Sequence, residues 1–250
     1  MKRFTKIGWY ILLLVISVIP LLNLFQAGLP VTHDGQDHVA RIANFYLSLS
    51  EGIVIPRWAG LLNWGYGHPI LMFLYPFPSY TASLFHLIGF SFVDSTKLVF
   101  ALGFVASFFA MYVWAASVWG RTIGLLAAVL YVFAPYRFVD LYVRGAIGEH
   151  MAFVFPPLIL LGLYHMAKDK VSSKKSWALA VLGSAGLILS HNALSLMFLP
   201  IIGLYVAYLS AYETKHKFLF IAQAIVSIFW GFIVSAFFWM PALLEGKYTL

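Results

Sequence analysis

The sequence contains no cysteine and few charged residues. Of its 250 residues, 10% are charged and 62% are hydrophobic, whereas a soluble domain has about 25% charged and roughly 45–50% apolar residues. The 9 acidic and 16 basic side chains cannot cover so much apolar surface in water, which excludes a soluble globular protein. Because so much of the chain is apolar, it is a polytopic membrane protein. The lack of cysteine separately excludes disulfides, thiolate catalysis and cysteine-bound metals.

Long apolar runs predict an all-α membrane helix bundle with about seven crossings. The first run follows a basic start and is longer than the about 7–15 residues of a signal-peptide core, so we interpret it as a retained anchor. Residues 69–92 are also apolar, but Pro69, Pro76 and Pro78 favour a broken or interfacial helix that does not cross. The predicted crossings are residues 7–27, 98–118, 122–135, 150–167, 176–189, 193–211 and 218–240.

Basic residues predict the orientation of the bundle, because Lys and Arg mark cytoplasmic loops. If residues 69–92 do not cross, ten of the 16 Lys and Arg side chains lie on the same side as the N-terminus, which we expect to be cytoplasmic. Residues 28–97 then form a long first outer loop with surface helices. The net charge of +7 is explained in this way, and nucleic acid is not an expected partner. The chain stops soon after the seventh crossing, and we expect it to be the front part of a longer protein.

A polar cluster opens the first outer loop, with His33, Asp34, Asp37 and His38 close together. After it, apolar residues recur at helical spacing and predict an amphipathic helix on the membrane surface. The polar face of this helix, which would look toward water or substrate, contains His38, Arg41, Asn44 and Ser48.

Two interpretations of these acids remain open. Asp34 could be the N-cap of the helix and Asp37 could pair with Arg41 four residues later. Alternatively, Asp34 or Asp37 is a general base that accepts a hydroxyl proton, since capping explains neither imidazole. Donor chemistry also makes His33, Asp34, Asp37 and His38 candidate ligands for a divalent metal such as Mg²⁺ or Mn²⁺, although their spacing is not diagnostic.

A second polar cluster lies at residues 136–150. Arg137 and Arg144 could bind a phosphate through charge-assisted hydrogen bonds, with Asp140 and Glu149 orienting them. The structural alternative is an Asp140–Arg144 helix pair with side chains that reach the membrane interface. His191 interrupts another apolar run, where it could bond a ligand or simply bond across helices.

Two of the predicted crossings, residues 122–135 and 176–189, are shorter than the roughly 20 residues that a bilayer requires. Each leads into a polar cluster on the outer side. This predicts a recess at the lipid boundary, which would suit a substrate with an apolar tail and a polar head, such as a polyprenyl-phosphate sugar. The predicted crossings contain no Asp, Glu, Lys or Arg deep inside them, which counts against an ion-coupled transporter.

Several short motifs resemble those of known membrane enzymes. The chain resembles the GT-C superfamily of integral membrane glycosyltransferases, and more closely a branch of bacterial and archaeal multispan proteins labelled as related to 6-pyruvoyl-tetrahydropterin synthase. The likeness covers nearly the whole chain. The motifs are His33-Asp34-Gly35-Gln36-Asp37-His38, Pro56-Arg57-Trp58, Gly65-Tyr66-Gly67-His68-Pro69, Tyr75-Pro76-Phe77-Pro78, Asp140-Leu141-Tyr142-Val143-Arg144-Gly145 and Ser190-His191-Asn192.

The resemblance implies sugar transfer from a polyprenyl-phosphate donor at the outer face of a prokaryotic plasma membrane, with lipid and the lipid-linked donor as partners. It implies that Asp34 or Asp37 activates the acceptor. The acids here are spaced Asp-x-x-Asp, unlike the Asp-x-Asp or Glu-x-Asp of several relatives, so the choice of base stays open. The resemblance implies Arg41, Arg137 and Arg144 as donor-phosphate residues. From the clustering of acids and imidazoles at one membrane face, we expect the substrate-binding residues to be His33, His38, Asp140, Glu149 and His191.

Two other function classes compete with this interpretation. One is a transporter or flippase for a lipid-linked saccharide, and the other is a non-catalytic membrane scaffold. The predicted crossings without charge disfavour the first, and the clustered acids and imidazoles disfavour the second.

Overall fold

The computed structural model describes residues 6–168 and 173–248. Within these ranges the chain is helical apart from turns and one isolated antiparallel bridge between Ala59 and His68. The prediction of an all-α membrane bundle is confirmed. Lys2, Arg3 and Lys170, which entered the prediction of orientation, lie outside the described residues.

The described part of the chain contains thirteen α-helices, numbered here in chain order. They are α1 (Lys6–Val18), α2 (Gly35–Ser50), α3 (Ile70–Phe73), α4 (Phe77–Leu87), α5 (Phe92–Trp119), α6 (Arg121–Val132), α7 (Pro135–Val139), α8 (Ile147–Ala152), α9 (Phe155–Lys168), α10 (Ser173–Ser190), α11 (Asn192–Tyr212), α12 (Lys217–Val234) and α13 (Ala236–Glu245). Short 3₁₀ segments continue α1 over Ile19–Phe25 and α13 over Gly246–Tyr248, and a further one lies at Asn63–Gly65.

Five helical segments among the described residues are long and apolar enough to cross a membrane, so the predicted count of seven is not confirmed. A sixth is possible if α6 and Pro135–Arg144 form one span bent by 46°. Pro135 lies at this bend, where a proline cannot continue the helical hydrogen bonds. The five segments are Ile7–Phe25, Phe92–Trp119, Ile147–Lys168, Asn192–Tyr212 and Lys217–Val234.

The predicted crossing at residues 176–189 accounts for one difference from the predicted spans. Helix α10 is not a candidate span, because Lys174, Lys175 and several small polar residues lower its hydropathy. It nevertheless packs against α9 and α12. Residues 69–92, which were predicted not to cross, contain the short helices α3 and α4 and the first residue of α5, and neither short helix is long enough to cross. Helix α5 then begins at Phe92, earlier than predicted, because the Ser91 hydroxyl accepts a 3.0 Å hydrogen bond from the Asp94 amide and caps it.

One buried core runs through the bundle and includes Phe104, Phe108, Ile159 and Leu163. Small residues allow its helices to approach closely, as at Gly231 of α12, which lies against Ser184 of α10. Large apolar side chains such as Leu204 of α11 and Phe229 of α12 remain exposed. These outward faces fit a lipid environment.

Candidate functional site

The two polar clusters of the sequence meet in the structure. The His33 amide donates a 3.0 Å hydrogen bond to the Val143 carbonyl, and the Asp34 amide donates a 2.9 Å bond to the Arg144 carbonyl. The segment before α2 is thereby fixed to the turn that follows α7. Side chains far apart in sequence therefore share one region of the bundle.

A glycine makes this contact possible. Gly145 has φ +67°, in the left-handed region, and a Cβ atom placed on it would collide with the Thr32 side chain. Thr32 is itself held in place, because its hydroxyl accepts a 3.1 Å hydrogen bond from the Gly35 amide. Any larger residue at position 145 would strain the backbone and push the first polar cluster away.

The carboxylates of Asp34 and Asp37 differ in their surroundings. Asp34 occupies the N-cap position of α2, but its side chain makes no capping hydrogen bond, and it is exposed. Asp37 lies 3.3 Å from a guanidinium nitrogen of Arg41, one helical turn later. The predicted pair between Asp37 and Arg41 is therefore present. The predicted capping hydrogen bond from the Asp34 side chain is not formed.

Helix α2 spans Gly35–Ser50 as an amphipathic helix, but its buried face differs from the predicted one. His38, Asn44 and Ser48 were expected on the open polar face and are buried. Asn44 is engaged by a later segment of the chain, because its side-chain oxygen accepts a 2.8 Å hydrogen bond from the Leu61 amide. The expectation that His38 faces water or substrate is therefore wrong, since only 3% of it is exposed. Burial, followed by the charge of Arg41, lowers the pKa of His38 to about 4.

The candidate metal ligands are not gathered into a metal-binding group. Within residues 6–168 and 173–248, no three His, Asp or Glu side chains are placed to hold an ion together. His33 and Asp34 are exposed at the start of α2, whereas His38 points into the core and Asp37 pairs with Arg41. The predicted metal cluster is therefore not formed by these four residues.

Arg144 is the centre of the second polar cluster. It lies on a π-helical turn over Asp140–Arg144, a distortion that often occurs at functional sites. Its Nη1 atom donates to the Tyr136 hydroxyl at 2.7 Å, to Asp140 at 3.4 Å and to Glu149. The Tyr136 hydroxyl in turn donates to Glu149. Two carboxylates and a phenol therefore orient one guanidinium that is 37% exposed.

Arg137 is not part of this cluster. It is only 2% exposed and donates to the Ser107 hydroxyl at 3.0 Å and to the His150 carbonyl at 3.3 Å. Its guanidinium also lies over the Phe153 ring, 4.5 Å from the centroid. Among the described residues its partners are core groups, which leaves it no open approach for a phosphate.

Buried charge also revises the expectation about the membrane spans. Asp140 is fully buried, with a carboxylate oxygen 3.5 Å from Nδ1 of the buried His150. Arg137 and Asp140 lie in the bent pair of helices, and Glu149 and His150 lie in the candidate span Ile147–Lys168. The expectation was that no Asp, Glu, Lys or Arg lies deep inside the predicted crossings. These two helical segments extend beyond the predicted crossings and include charged residues that had been placed in a loop.

His191 joins a further helix to the Arg144 cluster. Its Nδ1 atom accepts a 3.1 Å hydrogen bond from the Leu194 amide, which makes it the N-cap of α11. Its Nε2 atom lies 4.0 Å from Glu149. Burial lowers the pKa of His191, and Glu149 opposes this shift. The imidazole is thus oriented by its own helix and directed at the carboxylate that holds Arg144.

Tyr75 lies between the two polar clusters, and the sequence analysis gave it no role. Its ring lies 5.1 Å from that of His191 and fits over Gly148, where any Cβ atom would collide with it. Burial raises the pKa of Tyr75 to about 12; the charge of Arg41 opposes this rise, and the charges of Glu149 and Asp34 add to it. The Tyr75-Pro76-Phe77-Pro78 motif was the available signal, but its chain position did not indicate which groups it would meet.

An apolar cavity of about 470 Å³ opens beside His191. It lies among α10, α11, α12 and α13, and Asn192, the neighbour of His191, is part of its wall. Its size is within the roughly 300–1,000 Å³ of small-molecule sites. Other wall residues are Ile188, Leu196, Phe232, Phe238 and Trp239.

A family model and a bacterial relative each match most of the chain. The family model described as "6-pyruvoyl-tetrahydropterin synthase related domain; membrane protein" matches residues 71–250. A relative from Lactococcus lactis subsp. cremoris (strain MG1363), named "Uncharacterized protein", is 26% identical over 255 residues. The match covers 97% of this chain and 41% of the relative, so the chain spans less than half of that protein's length. No solved structure matches the chain.

Proposed function

The chain belongs to the family of membrane proteins described as 6-pyruvoyl-tetrahydropterin synthase related, and we propose that it transfers a sugar from a polyprenyl-phosphate donor. The observation that carries this proposal is the pair of backbone hydrogen bonds between residues 33–34 and residues 143–144. They bring an exposed carboxylate, Asp34, to the segment that carries the oriented cation Arg144. A base and a cation in one region are what an inverting transfer to a hydroxyl requires.

Asp34 is the proposed general base. Its carboxylate is exposed and makes no capping hydrogen bond, whereas the Asp37 carboxylate is already engaged by Arg41. In the proposed step the acceptor hydroxyl oxygen forms a bond to the anomeric carbon while the bond from that carbon to the phosphate oxygen breaks. The hydroxyl proton passes to Asp34, and the polyprenyl phosphate leaves with the bonding electron pair.

Arg144 is the proposed phosphate-binding residue. Its guanidinium is partly exposed and is oriented by Glu149, Asp140 and Tyr136. A cation held in place before the reaction stabilises the charge that develops on the leaving phosphate. His191 and Glu149 are proposed to position the head of the donor beside it, and the buried Arg137 is proposed to support the fold of this region.

The apolar cavity beside His191 supports a lipid-linked donor. Its wall is mostly hydrophobic and includes Asn192, the neighbour of His191 in the chain. An amphiphile could place its isoprenoid chain among α10–α13 and its phosphate at the polar cluster. With the seven predicted crossings, the distribution of Lys and Arg favours an extracytoplasmic position for the site.

A second candidate is transport of a lipid-linked saccharide, favoured by the buried Asp140 and His150 side chains. Ionisable groups inside membrane segments commonly mark substrate or proton pathways. The two candidates predict different products. Transfer yields a new glycosidic bond, whereas transport moves an unchanged donor across the membrane.

The test uses membranes that contain the protein and a labelled polyprenyl-phosphate sugar. Asp34→Asn should lower transfer at least about 100-fold, within the range expected for removing a general base, whereas Asp37→Asn should have a smaller effect. Glu51→Gln, at the far end of the same helix, is the control and should retain full transfer. Protein level and thermal stability are measured alongside. Full transfer by both aspartate variants would overturn the proposed mechanism.

A further inference from the structure

We infer that an open cavity of about 450 Å³ in the first outer loop binds a neutral pyranose ring. Its wall includes Asp37, Arg41, Asn63, Trp64 and His68. The inference rests on the proposed function, because it names the part of a saccharide substrate that this loop recognises. It does not use the Arg144 cluster or the apolar cavity, which would receive the phosphate and the lipid.

The loop that carries Trp64 is built as an ordered structure. Ala59 and His68 exchange backbone hydrogen bonds of 2.8 Å and 3.1 Å, and the Gly67 amide donates a 2.9 Å bond to the Leu62 carbonyl. The Leu61 amide donates to Asn44 of α2, which fixes the loop above that helix. The cavity wall therefore combines a side of α2 with a braced loop, and its shape exists before a ligand binds.

Trp64 adopts a backbone conformation that is rare for a bulky residue. Asn63 and Trp64 have φ values of 53° and 55°, and they alone among the described non-glycine residues have positive φ. A bulky side chain in the left-handed region is strained, and such strain concentrates at binding sites. Trp64 is also 93% exposed although its ring is apolar. A flat ring held open at the edge of a cavity is suited to stacking against a ligand face.

The charges around the cavity select the class of ligand. Arg41 is paired with Asp37 at 3.3 Å, so the wall does not present an uncompensated cation to a phosphate. The pair, the Asn63 amide and the His68 imidazole instead offer several hydrogen-bond donors and acceptors around one indole face. A pyranose ring has matching chemistry, with a face of C–H groups for the indole and hydroxyls around its edge.

Binding is tested with the full chain in detergent micelles, using the methyl glycosides of glucose, galactose, mannose and N-acetylglucosamine as probes. Saturation-transfer NMR should show saturable binding of at least one glycoside. Trp64→Ala should weaken that binding about tenfold, whereas Trp64→Phe, which keeps an aromatic face, should weaken it less. Tyr66→Ala is the matched control, because Tyr66 belongs to the same loop, is 83% exposed and does not line the cavity.

Three results would overturn the inference. The first is the absence of saturable binding with every glycoside, and the second is equal binding by the wild type and Trp64→Ala. The third is a membrane role for Trp64, shown if brominated lipids quench the fluorescence that Trp64→Phe removes. Competition identifies the source of the ring. A polyprenyl-phosphate sugar displaces the glycoside if the cavity holds the donor sugar and leaves it bound if the cavity holds the acceptor.

The outcome of the binding experiment does not depend on whether the proposed transfer reaction takes place. Glycoside binding needs no turnover, so it persists if Asp34→Asn shows that no carboxylate-dependent transfer takes place. Conversely, transfer that depends on Asp34 without glycoside binding would retain the proposed function and remove the saccharide cavity.

Discussion

The backbone amide of Asp34 donates a 2.9 Å hydrogen bond to the backbone carbonyl of Arg144. This bond relates the carboxylate that follows the first membrane segment to the cation of the π-helical turn. Because it joins main-chain atoms, substituting the side chains of Asp34 or Arg144 leaves it in place. The arrangement depends instead on the residues that let the two backbones approach.

Gly145→Ala should loosen the contact between the two polar clusters. The substitution places a Cβ atom against Thr32 and costs about 1–2 kcal/mol for the left-handed conformation alone. Hydrogen exchange at the amides of His33 and Asp34 should become faster, because both bonds depend on this approach. Gly203→Ala is the control, since nothing lies within 4 Å of a Cβ atom at that helical position. Unchanged exchange in Gly145→Ala would contradict the role given to Gly145.

Arg144→Lys should reduce sugar transfer by about 100-fold or more, the range for losing one oriented donor to developing charge. Lysine keeps the charge, but it cannot reproduce the planar set of donors that Tyr136, Asp140 and Glu149 hold in place. Transfer rates with a labelled lipid-linked donor measure the effect. Arg121→Lys, at the exposed start of α6, provides the control and should keep its activity. Equal rates for both variants would remove Arg144 from the mechanism.

The fold class was predictable because apolar runs of sufficient length have few alternatives to membrane helices. The number of spans was not, because α10 contains lysines and small residues and its place between α9 and α12 depends on long-range packing. The start of α5 at Phe92 could have been found from the sequence. Ser91 followed by Asp94 three residues later is a capping pattern.

The sequence indicated which residues form the polar clusters better than it indicated where their side chains lie in the fold. Helical periodicity put His38 and Arg41 on one polar face, but His38 is buried whereas Arg41 stays partly exposed. Arg137 and Arg144 were both candidates for binding a phosphate, and seven residues would bring a regular α-helix back to nearly the same face. The π-helical turn at Asp140–Arg144 changes that phase, so one guanidinium enters the core and the other stays partly exposed. Neither effect is encoded in local sequence spacing.

Acid should destabilise the protein through His38. Its folded-state pKa of about 4 lies below the unfolded value of 6.5, so the unfolded state binds more protons between these two values. The stability that neutral His38 contributes is fully present above pH 6.5 and is lost as the pH falls toward 4. The loss is about 2 kcal/mol at pH 5. Melting temperatures in detergent should therefore fall between pH 7.5 and pH 5.

The control for this pH dependence is a second histidine of the same cluster. His38→Gln should flatten the fall in melting temperature, whereas His33→Gln should not, because His33 is exposed. A wild-type protein whose melting temperature is the same at both pH values would contradict the assignment to His38.

Filling the apolar cavity beside His191 should impair use of the lipid-linked donor. Ala193 and Leu196 both line this cavity, and Leu196→Trp places a larger ring in the space proposed for the isoprenoid chain. We expect the KM for the donor to rise about tenfold, because lost burial of a few methylene groups has that magnitude, while kcat changes little. Leu204→Trp is the matched control on the same helix, since Leu204 is 73% exposed and does not line the cavity. An unchanged KM in Leu196→Trp, with protein level and melting temperature equal to those of the control, would show that the lipid binds elsewhere.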